Sequence, residues 1–367
     1  MAPRPDILTA GSSTADSLRD RVRGLAARLT TPLVPEDYLD RWDPLRAGAV
    51  LRGRIVAVLP ETRDAVTVVI RPGRAWRGHA PGQYVRVGVE VDGVRQWRTY
   101  SLTWPAGRAD GCIAITVTAV AGGVVSTHLV RDARIGSVVQ LDQAAGDFVL
   151  PEVAPRKSLF VTAGSGVTPV MGMLRAALDT LDDVVVVHSA RTASDVLFGG
   201  ELRMLDSLGR IRLVERHTAT EGRLDSATLA HLVPDLAERE TWACGPGGML
   251  DSIEDSWAMR GLSHRLHVER FRPVVRSVGS GGTVSFTRTG TVVEADGASS
   301  LLDAGEAAGV LMPSGCRMGI CFGCVVPLRE GSVRDLRDGS LTTAAPGDGV
   351  LVQTCVSAAA GACDLDL

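Results

Sequence analysis

Lysine is almost missing from this 367-residue chain: Lys157 is the only one, and arginine supplies the rest of the 39 basic side chains. A bias spread over the whole chain carries no local chemistry. Aromatic residues amount to 4%, so the cores must be built from Val, Leu, Ile and Ala. There is no basic excess either. A formal net charge of −3 removes the electrostatic footprint of a nucleic-acid binder. Uninterrupted apolar runs of 18 or more residues are absent, so no segment is expected to span a bilayer. The first 14 residues lack the apolar centre of a secretory signal, and seven cysteines make an odd number. The expectation is a cytoplasmic protein with free thiols rather than disulfides.

What is present, 45% hydrophobic and 22% charged residues, describes a folded chain long enough for two or three domains. Residues 1–47 hold an amphipathic stretch at 17–29 and a Pro-punctuated run at 31–38, read as a short helix and a strap. In 48–152, short Val-rich runs at 50–59, 65–70, 84–91, 96–103, 112–120 and 138–141 are parted by Gly, Pro and Asp, which predicts an antiparallel β-barrel. From 153 to 275 strand and helix signals alternate, predicting an α/β domain with a parallel sheet. Residues 276–282 read as a Gly/Ser linker. The final unit, 283–367, has five of the seven cysteines and few large apolar residues, so a metal centre would help it fold.

Cys316, Cys321 and Cys324 are separated by four and two residues, and thirty more precede Cys355. That is the spacing of a plant-type [2Fe–2S] site. Gly315, Gly319 and Gly323 let one loop bend tightly enough to offer three sulfurs while freeing backbone N–H groups to face them. The alternatives are a zinc site, which usually takes two close cysteine pairs, or inert thiols. The run SGCRMGICFGC with its distant Cys355 resembles the plant-type ferredoxins, which implies an α+β β-grasp fold. Cys112 and Cys363 have no place in the pattern.

Arg98 and Tyr100, in RTYSLT, project from one face of a predicted strand by its period of two, offering a guanidinium for a phosphate and a ring for a flat heterocycle. Gly122 and Gly123 open a short helix whose N–H groups, with Ser126, make an anion seat. Gly164, Gly166 and Thr168, in GSGVTP, follow a strand and let a pyrophosphate approach the backbone, with Pro169 in the first helical turn. Cys244, Gly245 and Pro246 end another strand where open α/β sheets bind ligands. In this order the elements resemble the ferredoxin–NADP reductase superfamily, here fused to a C-terminal ferredoxin domain. The resemblance implies that Arg98, Gly123 and Ser126 hold flavin phosphates, that Tyr100 packs on the flavin and that Ser101 lies near its N5. It further implies that Gly164, Gly166 and Thr168 cradle the nicotinamide dinucleotide, that Cys244 with Gly245 and Pro246 flanks the nicotinamide, and that Phe271 neighbours the flavin. Tyr100, Ser101 and Cys244 are then the residues at the reaction.

FAD is the expected flavin, with FMN the alternative. Arg191, Arg216 and Arg223 follow the second and third strands of the parallel sheet, where a ribose 2′-phosphate would need cations, so NADPH is expected over NADH. The implied function is an oxidoreductase passing electrons from NADPH through FAD and a [2Fe–2S] cluster to an external acceptor protein. The 283–367 unit has 5 Arg against 10 Asp and Glu, which suits a basic patch on that acceptor. The N-terminal extension and the run around RPGRAWRGHAPGQYVRV look most like actinobacterial reductases of membrane di-iron enzymes, acyl-CoA desaturases and alkane hydroxylases. That places the protein at most peripherally on the inner face of a membrane. A soluble Rieske dioxygenase or cytochrome P450 is the alternative acceptor, and a non-catalytic redox carrier or sensor the alternative role.

Overall fold

The computed structural model describes residues 35–46, 48–271 and 278–367; the stretch at 17–29 and the first half of the run at 31–38 lie outside them, and its second half, read as strap, is helical. A helix, α1 (Pro35–Trp42), leads into the first domain. Six strands follow: β1 (Arg52–Thr62), β2 (Ala65–Pro72), β3 (Tyr84–Val91), β4 (Val94–Ser101), β5 (Ile113–Thr118) and β6 (Val138–Leu141). They pair antiparallel in the order β4-β3-β6-β1-β2-β5, and a Leu102–Ile115 bridge joins the two ends. Alternation explains the pattern: Val85, Val87 and Val89 of β3 are buried in the barrel core while their neighbours turn outward. Helix α2 (Val124–Arg131) packs on that core with Val125 and Leu129.

The second domain is a parallel sheet in the order β11-β10-β7-β8-β9, formed by β7 (Lys157–Ala163), β8 (Asp183–Ala190), β9 (Arg212–His217), β10 (Glu240–Cys244) and β11 (Leu266–Glu269). Helices α3 (Val167–Ala177), α4 (Gly199–Ser207), α5 (Thr218–Glu221), α6 (Ser226–Leu232) and α7 (Gly247–Met259) join the strands. Phe160, Val186 and Trp242 face one core, Val161, Val187 and Ala243 the other, as a sheet covered on both sides requires. The edge strand β11 is not among the strand signals of the sequence. Its LHVE run is too short and polar to announce itself, and its pairing with β10 decides it.

In the third domain, β12 (Gly282–Phe286), β13 (Thr291–Ala295), β14 (Val325–Asp335), β15 (Leu341–Ala344), β16 (Val350–Gln353) and β17 (Ser357–Leu365) make a mixed sheet beneath α8 (Leu301–Ala307). Cys363 is a buried member of this core, and Cys112 is a buried thiol of the barrel domain. Of the glycines read as linker, Gly281 and Gly282 pair in the sheet and Gly279 leads into it. Gly279 donates to the Gly297 carbonyl at 2.7 Å, and a Cβ on it would lie 2.0 Å from the Ala359 oxygen; only a glycine lets the chain enter here.

The first two domains meet closely. Arg175 of α3 donates from Nη1 to the Thr103 carbonyl at 2.9 Å and from Nε to Glu201 at 2.9 Å. A Cβ on Gly172 would stand 2.3 Å from the Leu102 oxygen, so helix and barrel touch through backbone. That contact fixes the end of β4 against the middle and C-terminal half of α3.

Candidate flavin, nicotinamide and cluster sites

The cluster loop is held in a conformation that side chains rarely adopt. Arg317, Gly319 and Phe322 all have positive φ, at 59°, 75° and 55°, a strain that persists where surrounding contacts over-determine the chain. Those contacts are visible: Arg337 Nη1 and Gln353 Nε2 donate to the Gly319 carbonyl at 3.2 and 3.1 Å. The loop brings the four sulfurs together as two pairs. Cys324 and Cys355 lie 3.2 Å apart, and their shared proton lowers Cys324 to about 6 while raising Cys355. Cys316 and Cys321 form the other pair, with Cys321 Sγ accepting from the Cys316 and Gly323 N–H groups at 3.1 and 3.3 Å, and Cys316 Sγ from that of Met318 at 3.3 Å. Among the described residues no three ligating side chains surround one ion position. Two thiol pairs with N–H groups aimed at the sulfurs fit a two-iron cluster, whose irons each take two cysteines.

Beside the loop lies a cavity of 810 Å³, the size of a cofactor site, lined by all three domains. The β3–β4 register puts Tyr100 opposite Val85 and Arg98 opposite Val87, so Arg98 and Tyr100 share a face. Ser101, opposite Tyr84, turns to the other. Burial keeps the Tyr100 phenol protonated by raising its pKa. Ser101 Oγ is buried with no hydrogen-bond partner, a donor available to a flavin ring atom. At the cavity's far end Ser126 is partly engaged: its Oγ accepts from the Val120 N–H at 3.2 Å and donates to the Gly123 carbonyl at 3.3 Å. The turn therefore uses this hydroxyl, and the sequence reading of it as free for an anion needs that amendment. Phe271 also lines the cavity.

The nicotinamide side is built from two touching loops. A Cβ on Gly166 would lie 2.1 Å from the Cys244 carbonyl oxygen, so this glycine serves loop-to-loop contact. Gly164 has a φ of +53° and open space before it, leaving the backbone approachable. Thr168 donates to the Ser165 carbonyl at 2.8 Å within its own turn. Gly245 and Pro246 carry the chain from β10 into α7. Cys244 is buried, and burial raises its thiol pKa well above the ordinary value. In the pairing of β10 with β11 it stands beside Glu269, whose carboxyl is pushed up to about 8 by burial and has Oε2 unpartnered.

Arg191, Arg216 and Arg223 are not equivalent. Arg216 donates from Nε to the Gly222 carbonyl at 3.1 Å and from Nη2 to that of Glu221, so it holds the loop after β9. Arg191 and Arg223 are exposed at the same end of the sheet.

Tyr84, Glu269 and Arg317 line the cavity without a role assigned from the sequence. Tyr84 sits between the regions, its phenol pKa raised by burial first and then by the nearby Cys316, Glu269 and Cys321. Glu269 ends β11, two residues before Phe271. Arg317 reaches the same cavity as Arg98 while paired with Asp303 and Glu306. No spacing rule links residues 84, 269 and 317. Only the strand pairing of Tyr84 with Ser101 could have signalled one of them.

Known proteins share this three-domain arrangement. The chain is 50% identical over 354 residues to an NADPH oxidoreductase of Mycobacterium tuberculosis, covering 94% of this chain and 92% of that one. The chain belongs to the ferredoxin–NADP reductase superfamily. Family models match the reductase in three places: the oxidoreductase FAD-binding domain at 73–150, the oxidoreductase NAD-binding domain at 160–255 and the 2Fe-2S iron-sulfur cluster binding domain at 286–360. It is 29% identical to the glycine betaine monooxygenase reductase subunit of Pseudomonas aeruginosa over 82% of this chain and 91% of that one. Its fold matches phthalate dioxygenase reductase with a TM-score of 0.59 at 23% identity, covering 86% and 97% of the two chains. The reductase is thus an NAD(P)H-dependent oxidoreductase with FAD and a [2Fe–2S] cluster as cofactors.

Proposed function

We propose that the reductase oxidises NADPH and delivers single electrons to a separate oxygen-activating protein. The observation that carries this reading is the shared cavity: Tyr100 and Ser101, Ser165 and Glu269, and Cys316 and Cys355 line one space from three domains. A flavin held there would supply the exchange between electron pairs and single electrons that nicotinamide cannot make with a one-electron cluster. The chain's own residues do the rest. Arg98, half-buried in the cavity wall, would neutralise a flavin phosphate, and Tyr100 would pack on the ring. Ser101 donates towards N5, Cys244 and Gly166 hold the nicotinamide at the end of β10, and Glu269 keeps a proton on its buried carboxyl at neutral pH. Arg191 and Arg223 meet the 2′-phosphate, and Arg216 holds the loop after β9 that carries Arg223. The name of the 50% identical relative supports NADPH.

For the acceptor, the proposal is a membrane di-iron desaturase or hydroxylase, supported by the resemblance of the N-terminal extension and the RPGRAWRGHAPGQYVRV run. No described helix is long and apolar enough to cross a membrane, so contact with a bilayer would come through the partner. Electrons would leave past the cluster loop, where Ile320 and Phe322 are exposed by 52% and 67%, on a domain of net acidic charge. A second reading, a soluble Rieske dioxygenase or cytochrome P450, is favoured by relatives named for a monooxygenase and a dioxygenase. NADPH-driven product formation, measured with membranes bearing a di-iron desaturase and with soluble oxygenases in parallel, decides between them. Product from neither class, with NADPH still oxidised through cytochrome c, would overturn the oxygenase reading.

A further inference from the structure

One cation of the flavin barrel faces the cluster loop and has no part in the sites above. Arg86 lies on the outward face of β3, opposite Thr99 and two residues from the Gly88–Trp97 pair. Its guanidinium sits 5.0 Å from the centre of the Trp97 ring, Nη1 pairs with Asp142 at 2.8 Å, and Nε is buried without a hydrogen-bond partner. Nη2 points across the domain boundary. A Cβ on Gly315 would stand 3.0 Å from Arg86 Nη2 and 2.4 Å from Cys321 Sγ; one on Gly323 would stand 3.4 Å and 3.3 Å from the same two atoms. Guanidinium and sulfur are therefore neighbours across two glycines that leave no room for a side chain between them.

We propose that Arg86 is a positioning residue of the electron path: a positive charge lent by the flavin barrel to the Cys316/Cys321 side of the cluster, which favours the arrival of the electron. One electron passed from the reduced flavin adds one negative charge at the four-thiolate site, and no proton or leaving group moves. A fixed cation a few ångströms away, its side chain only 20% exposed, stabilises that added charge. Asp142 opposes it from the other side, but its side chain is 42% exposed against 20% for Arg86, so water weakens the carboxylate's effect more than the guanidinium's. The loop's other arginine neighbour, Arg337, is occupied with Asp335. Because Arg86 belongs to the barrel, only a docked cluster domain receives its charge, which couples domain contact to the direction of electron flow. The proposal rests on the cofactor set and not on which acceptor is served.

The test is a redox titration of the loaded protein, with the cluster followed by EPR and the flavin by absorbance. Arg86→Gln should shift the electron-sharing equilibrium about tenfold away from the cluster, which is about 59 mV for one electron, and leave the flavin potential and the EPR line shape unchanged. Arg86→Lys should recover most of the shift. Asp142→Asn, which frees the guanidinium, should move the cluster potential in the opposite direction and decides the matter if Arg86→Gln fails to load. An unchanged potential in Arg86→Gln, an equal fall in Arg86→Lys, or an unchanged or lowered potential in Asp142→Asn would overturn the proposal. A distorted EPR signal in Arg86→Gln would do the same, because it would mean that the side chain only shapes the loop.

Discussion

Gly166→Ala tests whether the loop after β7 and the loop after β10 work as one surface. The added methyl would lie 2.1 Å from the Cys244 carbonyl oxygen, 2.5 Å from its carbon and 3.0 Å from the Gly245 nitrogen. All three are backbone atoms, so no side chain can swing aside, and the loops must separate by on the order of 1 Å. A displacement of that size between reacting groups costs about 100-fold in rate, or roughly 2.7 kcal/mol of transition-state stabilisation. Anaerobic stopped-flow mixing with NADPH, read at the flavin band, should show that loss in hydride transfer. Flavin content and the cluster EPR signal should be unchanged, because neither cofactor's holding residues touch the methyl. Gly200→Ala is the control: its position on α4 has open space, and the change should leave hydride transfer as it was. A Gly166→Ala protein whose hydride transfer stays within about twofold of wild type would refute the claim that loop contact sets nicotinamide geometry.

Glu269, lifted from 4.5 to about 8, binds a proton in the folded protein that the unfolded chain has already released between those values. Stability is therefore expected to fall as pH rises towards 8 and to level off above it; Glu269→Gln should flatten that slope in thermal melts across pH 5–9, and an unaltered slope would contradict the assignment. Arg191→Ala should raise the KM for NADPH roughly tenfold, as expected for losing about 1.5 kcal/mol of a charged hydrogen bond, and leave the KM for NADH alone. Equal effects on both nucleotides would remove Arg191 from the 2′-phosphate.

Legibility in the sequence follows the range of the interactions involved. The barrel strands could be read because inward Val85, Val87 and Val89 alternate within a few residues, and the cluster site because three of its sulfurs share one short loop. The LHVE strand was hidden, since its place depends on pairing with residues more than twenty positions away. Tyr84, Arg317 and Arg86 were hidden for the same reason, their partners being distant in sequence. Gly166 was recognised as a required glycine for a different cause: the close approach is to Cys244, with Gly164 left as the open position. Ser126 and Arg216 looked like free ligands because nothing local shows that the turn after Val120 and the loop after β9 engage them.

The central claim, a path from nicotinamide through flavin to cluster, is tested most directly by Cys316→Ser. NADPH-driven reduction of cytochrome c and of ferricyanide would be measured side by side on the purified variant, with flavin content verified. The path predicts that cytochrome c reduction is abolished while ferricyanide, which takes electrons from the flavin, is reduced at the wild-type rate. Equal loss of both activities in a flavin-replete protein would contradict it, because the cluster could not then lie downstream of the flavin.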